Sequence, residues 1–152
     1  MKMTRFKKPN ISFLMLILTV VLAGPLWAEP NTKIVVKSVL ASQGSEYMDP
    51  RLSSLTEELR SIFRYSSYEL LSEDHMDLAM KETGTVSLPG DRVLKITPVK
   101  IAGDRVELQL VILKKEKEIF QTVSQLLNHS SIIVGGPKYK DGYLLFNISA
   151  SF

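Results

Sequence analysis

Residues 49–64 read DPRLSSLTEELRSIFR, and this stretch decides how the rest of the chain is grouped. Asp49 offers a side-chain acceptor suited to a helix N-cap, and Pro50 has the fixed φ that the first helical position favours. Leu52, Leu55, Leu59, Ile62 and Phe63 recur at spacings of three and four, with Glu57, Glu58 and Arg60 on the opposite side. The pattern predicts an amphipathic helix over 50–64 with one apolar face. Just beyond it, Tyr65–Leu71 reads as a short strand. Ser72 followed by Glu73 and Asp74 then resembles a second cap with acids in the first turn, which predicts a shorter helix over 73–82 closed by Thr83-Gly84.

Strand patterns surround these two segments. Ile34–Leu40 (IVVKSVL) is β-branched and apolar on both faces at its start, as in a strand from the middle of a sheet. Behind the helices, Gly90-Asp91-Arg92-Val93 recurs as Gly103-Asp104-Arg105-Val106, a turn-plus-strand repeat that punctuates hairpins. Val106, Leu108, Leu110 and Ile112 alternate with polar residues, and Leu144, Phe146, Ile148, Ala150 and Phe152 do the same at the end of the chain. The expected fold is α+β: one domain over 29–152, a mostly antiparallel sheet of six to eight strands, and the 50–64 helix on one face.

The first 28 residues are of another kind. Lys2, Arg5, Lys7 and Lys8 precede the uncharged run ISFLMLILTVVLAG (11–24), and a Gly24-Pro25 break leads to Leu26-Trp27-Ala28. A basic n-region, an apolar h-region and a small residue before Glu29 read as a secretory signal peptide over 1–28, cleaved between Ala28 and Glu29. The competing reading is an uncleaved anchor, since 11–28 is just long enough to span a bilayer. Either way residues 29–152 reach the periplasm or the exterior. Removing those four cations from the 19 Lys+Arg leaves 15 against 16 acids, a net charge near −1. Nucleic-acid binding is therefore disfavoured, because it needs clustered cations to neutralise phosphates. The alternating run Lys114-Lys115-Glu116-Lys117-Glu118 reads as a solvated turn. With no cysteine among 152 residues, disulfides, thiolate metal sites, thiol catalysis and a lipid-modified Cys are excluded.

Candidate chemistry is sparse. Ser72–Asp77 (SEDHMD) gathers carboxylates and an imidazole but has neither EF-hand nor H-E-x-x-H spacing, so no metal site is assigned. His129 lies beside Ser130 and Ser131, yet no nucleophile-elbow sequence aims a serine, and no catalytic residue is assigned. Gly135–Gly142 (GGPKYKDG) lacks the phosphate-loop pattern and reads as a long hairpin connection. Its Lys138, Tyr139, Lys140 and Tyr143 form a candidate partner-binding tip, since tyrosine with flanking cations suits interfaces. Phe152 closing an alternating strand is reminiscent of outer-membrane barrels. The 50–64 helix and the shortage of strand for eight spanning segments point instead to packing of Phe152 in a soluble core.

The run IVVKSVLAS, then LSSLTEELRSIF, then YELL, then SEDHMDLAMKET resembles the α/β domain of exported envelope proteins such as the N-terminal domain of TolB, LpoB and CsgG. The resemblance covers about a third of the chain, without the Asp-Arg start to the second helix or the lipid-bearing Cys of several members. It implies a non-enzymatic interaction domain and transfers no site residues. The expected function is an exported, non-catalytic periplasmic or envelope module that binds another envelope protein without a cofactor. The alternative is a membrane-associated protein, held by an uncleaved N-terminal segment or folded as a small outer-membrane β-barrel.

Overall fold

A computed structural model describes residues 30–152; the signal peptide expected over 1–28 and its expected cleavage between Ala28 and Glu29 lie outside the described residues. The chain forms β1 (Thr32–Ser42), β2 (Tyr47–Met48), a 3-10 segment (Pro50–Leu55), α1 (Thr56–Ile62), β3 (Ser67–Leu78) and β4 (Gly84–Leu88). It continues as β5 (Arg92–Ala102), β6 (Arg105–Lys114), β7 (Lys117–Leu127), β8 (Ser130–Tyr139) and β9 (Gly142–Ser151). The strands make a five-stranded sheet, β2-β3-β1-β9-β8, and a four-stranded sheet, β4-β5-β6-β7. Among the described residues only the short β2–β3 pairing is parallel.

The path is an eight-strand meander flattened into a sandwich. β4 to β7 reverse one on the next, β8 and β9 do the same, and β9 returns to pair with β1, which also pairs with β3. The circuit is interrupted at β3/β4 and at β7/β8, where the two sheets part. Two-residue turns do much of the reversing: Lys115 and Glu116 both hold positive φ, and so do His129 and Lys140 in their own turns. Between the sheets, Ile34, Val36, Ile96, Leu110, Ile112, Phe146 and Ile148 form the main core. Each sheet thus turns its apolar alternate residues inward, the reverse of a membrane barrel with a polar lumen.

The α+β expectation is corrected by this architecture. The chain is predominantly β, and its helical part is a six-residue 3-10 segment followed by a seven-residue α-helix. It packs on the outer face of the five-stranded sheet, where Leu52, Leu55 and Leu59 cover Val39, Ala41, Tyr68, Leu70 and Leu145. Ile62, expected in that face, is 55% exposed, because the helix ends there and Phe63 turns extended. The 73–82 helix does not form: Ser72–Leu78 continues β3, paired along its length with β1. Gly135-Gly136-Pro137 is not a connection but an irregular part of β8, where the register against β9 shifts. Among the described residues nine strands form rather than six to eight, two of them only two and five residues long, and the interior they enclose is apolar. Phe152 does pack against the main core, as expected.

The helical layer is pinned by Asp49 and Tyr68. The Asp49 carboxylate accepts from the Arg51 backbone N–H at 3.0 Å, the Arg51 side chain at 3.0 and 2.6 Å, and the Leu70 N–H at 3.2 Å. At the other end Tyr68 donates to the Phe63 carbonyl at 2.8 Å, with the Leu59 carbonyl 3.2 Å away, and burial pushes its phenol up. The Arg51 guanidinium above all, then the Arg51 N–H, holds the Asp49 carboxyl well below the usual carboxylate range, against the opposing effect of burial. A native-state value below the unfolded one means that this contribution is complete above the unfolded carboxylate value, about pH 4, and is lost as pH falls below it. Asp49→Asn should remove that dependence. Thermal melts from pH 6 to pH 2 should show a shallower acid decline for the variant; identical slopes would exclude Asp49 as a source of it.

Candidate functional site

The helix covers only half of the outer face of the five-stranded sheet. The other half lies at the end of the sandwich where β1 begins and β9 finishes, and it forms an open groove of about 710 Å³. Its floor follows from the register. Val35 pairs with His75 on one side and Ser149 on the other, and Ser149 pairs with Ser131. Next to that row, Lys33 lies between Asp77 and Ser151, and the His129 turn closes the far side. Val35, Ser131, Ser149 and Ser151 contribute short side chains to the lining, and His75, Asp77, Lys33 and His129 contribute its ionisable ones. Four strands at ordinary spacing make the floor about 14 Å wide.

Local interactions fix the rim. Toward the helix, Lys37 and Glu73 face each other across β1 and β3 with 3.9 Å between charges, and the His75 Nε2 lies 3.2 Å from a Glu73 carboxylate oxygen. The His129 turn is held from three sides. The Asn128 side chain donates to the Phe152 carbonyl at 2.7 Å and accepts from the Phe152 N–H at 3.0 Å. The Asn128 N–H donates to the Asp104 carbonyl at 2.7 Å, and the Ser130 hydroxyl to the Leu127 carbonyl at 2.6 Å. The C-terminal residue thus clamps the turn that presents His129.

Among the described residues no hydrogen bond joins either histidine to a serine: the His75 ring nitrogen faces Glu73, and the Ser130 hydroxyl donates to the Leu127 carbonyl. Nor do three His, Asp or Glu side chains converge in metal-binding geometry among those residues. What the surface offers is serine hydroxyls, a valine, and charges of both signs at the margins.

Other residues singled out by sequence are dispersed. In the Ser72–Asp77 cluster, strand alternation places Glu73, His75 and Asp77 on the groove side and Asp74 on the other, where Ser72 donates to it at 2.8 Å. Lys138, Tyr139, Lys140 and Tyr143 do not make one tip. The hairpin tip is Lys140–Asp141, with Tyr139 opposite Gly142 and Lys138 opposite Tyr143. Tyr139 packs against the main core with the Arg92 guanidinium and the Lys140 ammonium each 5.4 Å from its ring centre. Tyr143 lies on the opposite face, its ring 6.1 Å from that of Tyr65. No family model, curated protein or solved structure matches this chain.

Proposed function

We propose that the chain is an exported, non-catalytic module of the periplasm or cell envelope that holds a segment of another envelope protein in the groove over Val35, Ser131, Ser149 and Ser151. The carrying observation is the half-covered sheet: the helix protects one part of the face, and short side chains keep the rest open between longer rims. The export segment, the near-neutral charge of residues 29–152 and the resemblance of the strand–helix unit to envelope domains support the same reading. An extended polypeptide suits the site, since serine hydroxyls can bond its backbone groups and the mixed rim can pair charges of either sign.

Ser149→Trp tests this by filling the floor from an outward-facing position. The variant should melt within a few degrees of wild type yet lose the envelope protein that co-purifies with it. Thr85→Trp, on the exposed face of β4 in the other sheet, should keep that partner. Retention by both variants would exclude the groove as the binding surface.

A second reading, attachment through a retained N-terminal segment, is favoured by one geometric fact. Thr32 begins β1 at the same end as the groove, so an apolar anchor over 11–28 would hold the groove close to the bilayer. Mass spectrometry of the mature N-terminus together with carbonate extraction separates the two. A chain starting at Glu29 and released by carbonate supports the soluble module; an intact, resistant chain supports the anchor.

A further inference from the structure

The free edges of the two sheets are defended unequally. β2 offers two residues, and the stretch of β3 beyond it carries Glu73, Asp74, His75 and Asp77. β8 holds the Gly135-Gly136-Pro137 irregularity, and Pro137 has no N–H to donate. β4 is five residues long. Charges, proline, irregular register and shortness are the usual ways in which an edge is kept from pairing with another chain.

β7 has none of these over most of its length. Its single register irregularity falls near its start, opposite Ile112/Leu113, and Phe120–Leu127 (FQTVSQLL) is regular, with no charge, glycine or proline. One side pairs with β6; the other has no ladder partner among the described residues. Its outward side chains include Val123, 55% exposed, and Leu127, 46% exposed.

We propose that this edge pairs with the same edge of a second copy, antiparallel about a twofold axis at Val123, joining two four-stranded sheets into one of eight. The residues themselves favour a second copy over another partner, because the row matches itself. With Val123 opposite Val123, Gln121 falls opposite Gln125, Thr122 opposite Ser124, and Phe120 opposite Leu126. Amide meets amide, hydroxyl meets hydroxyl and apolar meets apolar, the self-complementarity that an isologous interface requires. Both edges are consumed, so assembly stops at two. The groove lies on the other sheet, and this inference does not rest on the reading above.

The absence of native cysteine makes the register directly testable. In the exported protein, Val123→Cys should form a disulfide-linked dimer on mild oxidation. Gln121→Cys should not, since its own copy would be about 14 Å away, but mixing Gln121→Cys with Gln125→Cys should yield the crossed pair. Val123→Lys would set two ammonium groups face to face. Sedimentation velocity should show dimerisation weakened by about tenfold or more, with unchanged circular dichroism. A wild-type monomer at every concentration tested, open-ended polymers, or self-linking of Gln121→Cys equal to that of Val123→Cys would overturn the proposal.

Discussion

Leu110→Ala is expected to lower the unfolding free energy by about 2–5 kcal/mol in urea melts, the range for a large-to-small change at a site that cannot collapse. Leu110 is 1% exposed at the centre of β6, paired with Ile96 on one side and Thr122 on the other, and it faces the interior shared by both sheets. Its neighbours are held by ladders on either side, so the surroundings have little freedom to fill the gap. Leu59→Ala empties an equally buried position beneath the helix and should cost about the same, whereas Ile62→Ala should stay within about half a kilocalorie. In the structure the core between the sheets is the larger of the two. A Leu110→Ala loss below half a kilocalorie would remove that ranking.

The start of the helical segment and the later hairpins are legible in sequence because each is specified locally, whereas the 3-10 form and early end of that segment are not. Asp49 and Pro50 mark a start whatever lies around them, and β6 and β9 carry period-two alternation with turn residues at their ends. The C-terminal half of β3 is legible only with its partner in view. Taken alone, Ser72-Glu73-Asp74 resembles a capped helix start, since acids favour a first turn. In place, the acids serve a ladder: Lys33 and Lys37 of β1 are spaced as Asp77 and Glu73 of β3 are, and antiparallel pairing sets each lysine opposite an acid. That matched spacing was the available signal, and it depends on contacts across forty residues of chain. The helix stops at Ile62 for a nearer reason: Tyr68, six residues on and already in the sheet, donates to the Phe63 carbonyl and lies 3.2 Å from that of Leu59.

The groove was less legible still. Both histidines were conspicuous, but each in its own surroundings, and only the ordering β3-β1-β9-β8 brings His75 and His129 to one surface. Its floor is made by absence of bulk. Ser149 and Ser151 read as the polar half of the alternating strand β9, and nothing in that strand shows that Ser131 of β8 will lie beside them. The tyrosine and lysines near 138–143 stood out chemically for the opposite reason. Their large side chains drew attention, and strand alternation then sent Tyr139 and Tyr143 to different faces.

Gly142→Ala should destabilise the protein by about 1–3 kcal/mol, although Asp141-Gly142 reads as ordinary turn punctuation. The positive φ of this hairpin belongs to Lys140, at 49°, and Gly142 is not among the residues with positive φ. The requirement at Gly142 is space. It opens β9 directly opposite Ser42 of β1, and a β-carbon there would run into the backbone carbonyl of Ala41 and meet the Ser42 β-carbon at 3.0 Å. The obstacle is main chain rather than a side chain that can swing away, and β1 is held on its other side by β3, so one central strand would have to shift. Gly103, which has positive φ but no atom within 4 Å of an added β-carbon, supplies the contrast. Gly103→Asn should be nearly neutral, because asparagine tolerates the left-handed region and meets no steric barrier. Chemical denaturation of both variants separates the two demands on glycine: a loss at Gly142 with near neutrality at Gly103 fits close strand approach, whereas a harmless Gly142→Ala would mean that β1 and β9 pack less tightly at this end than their register implies.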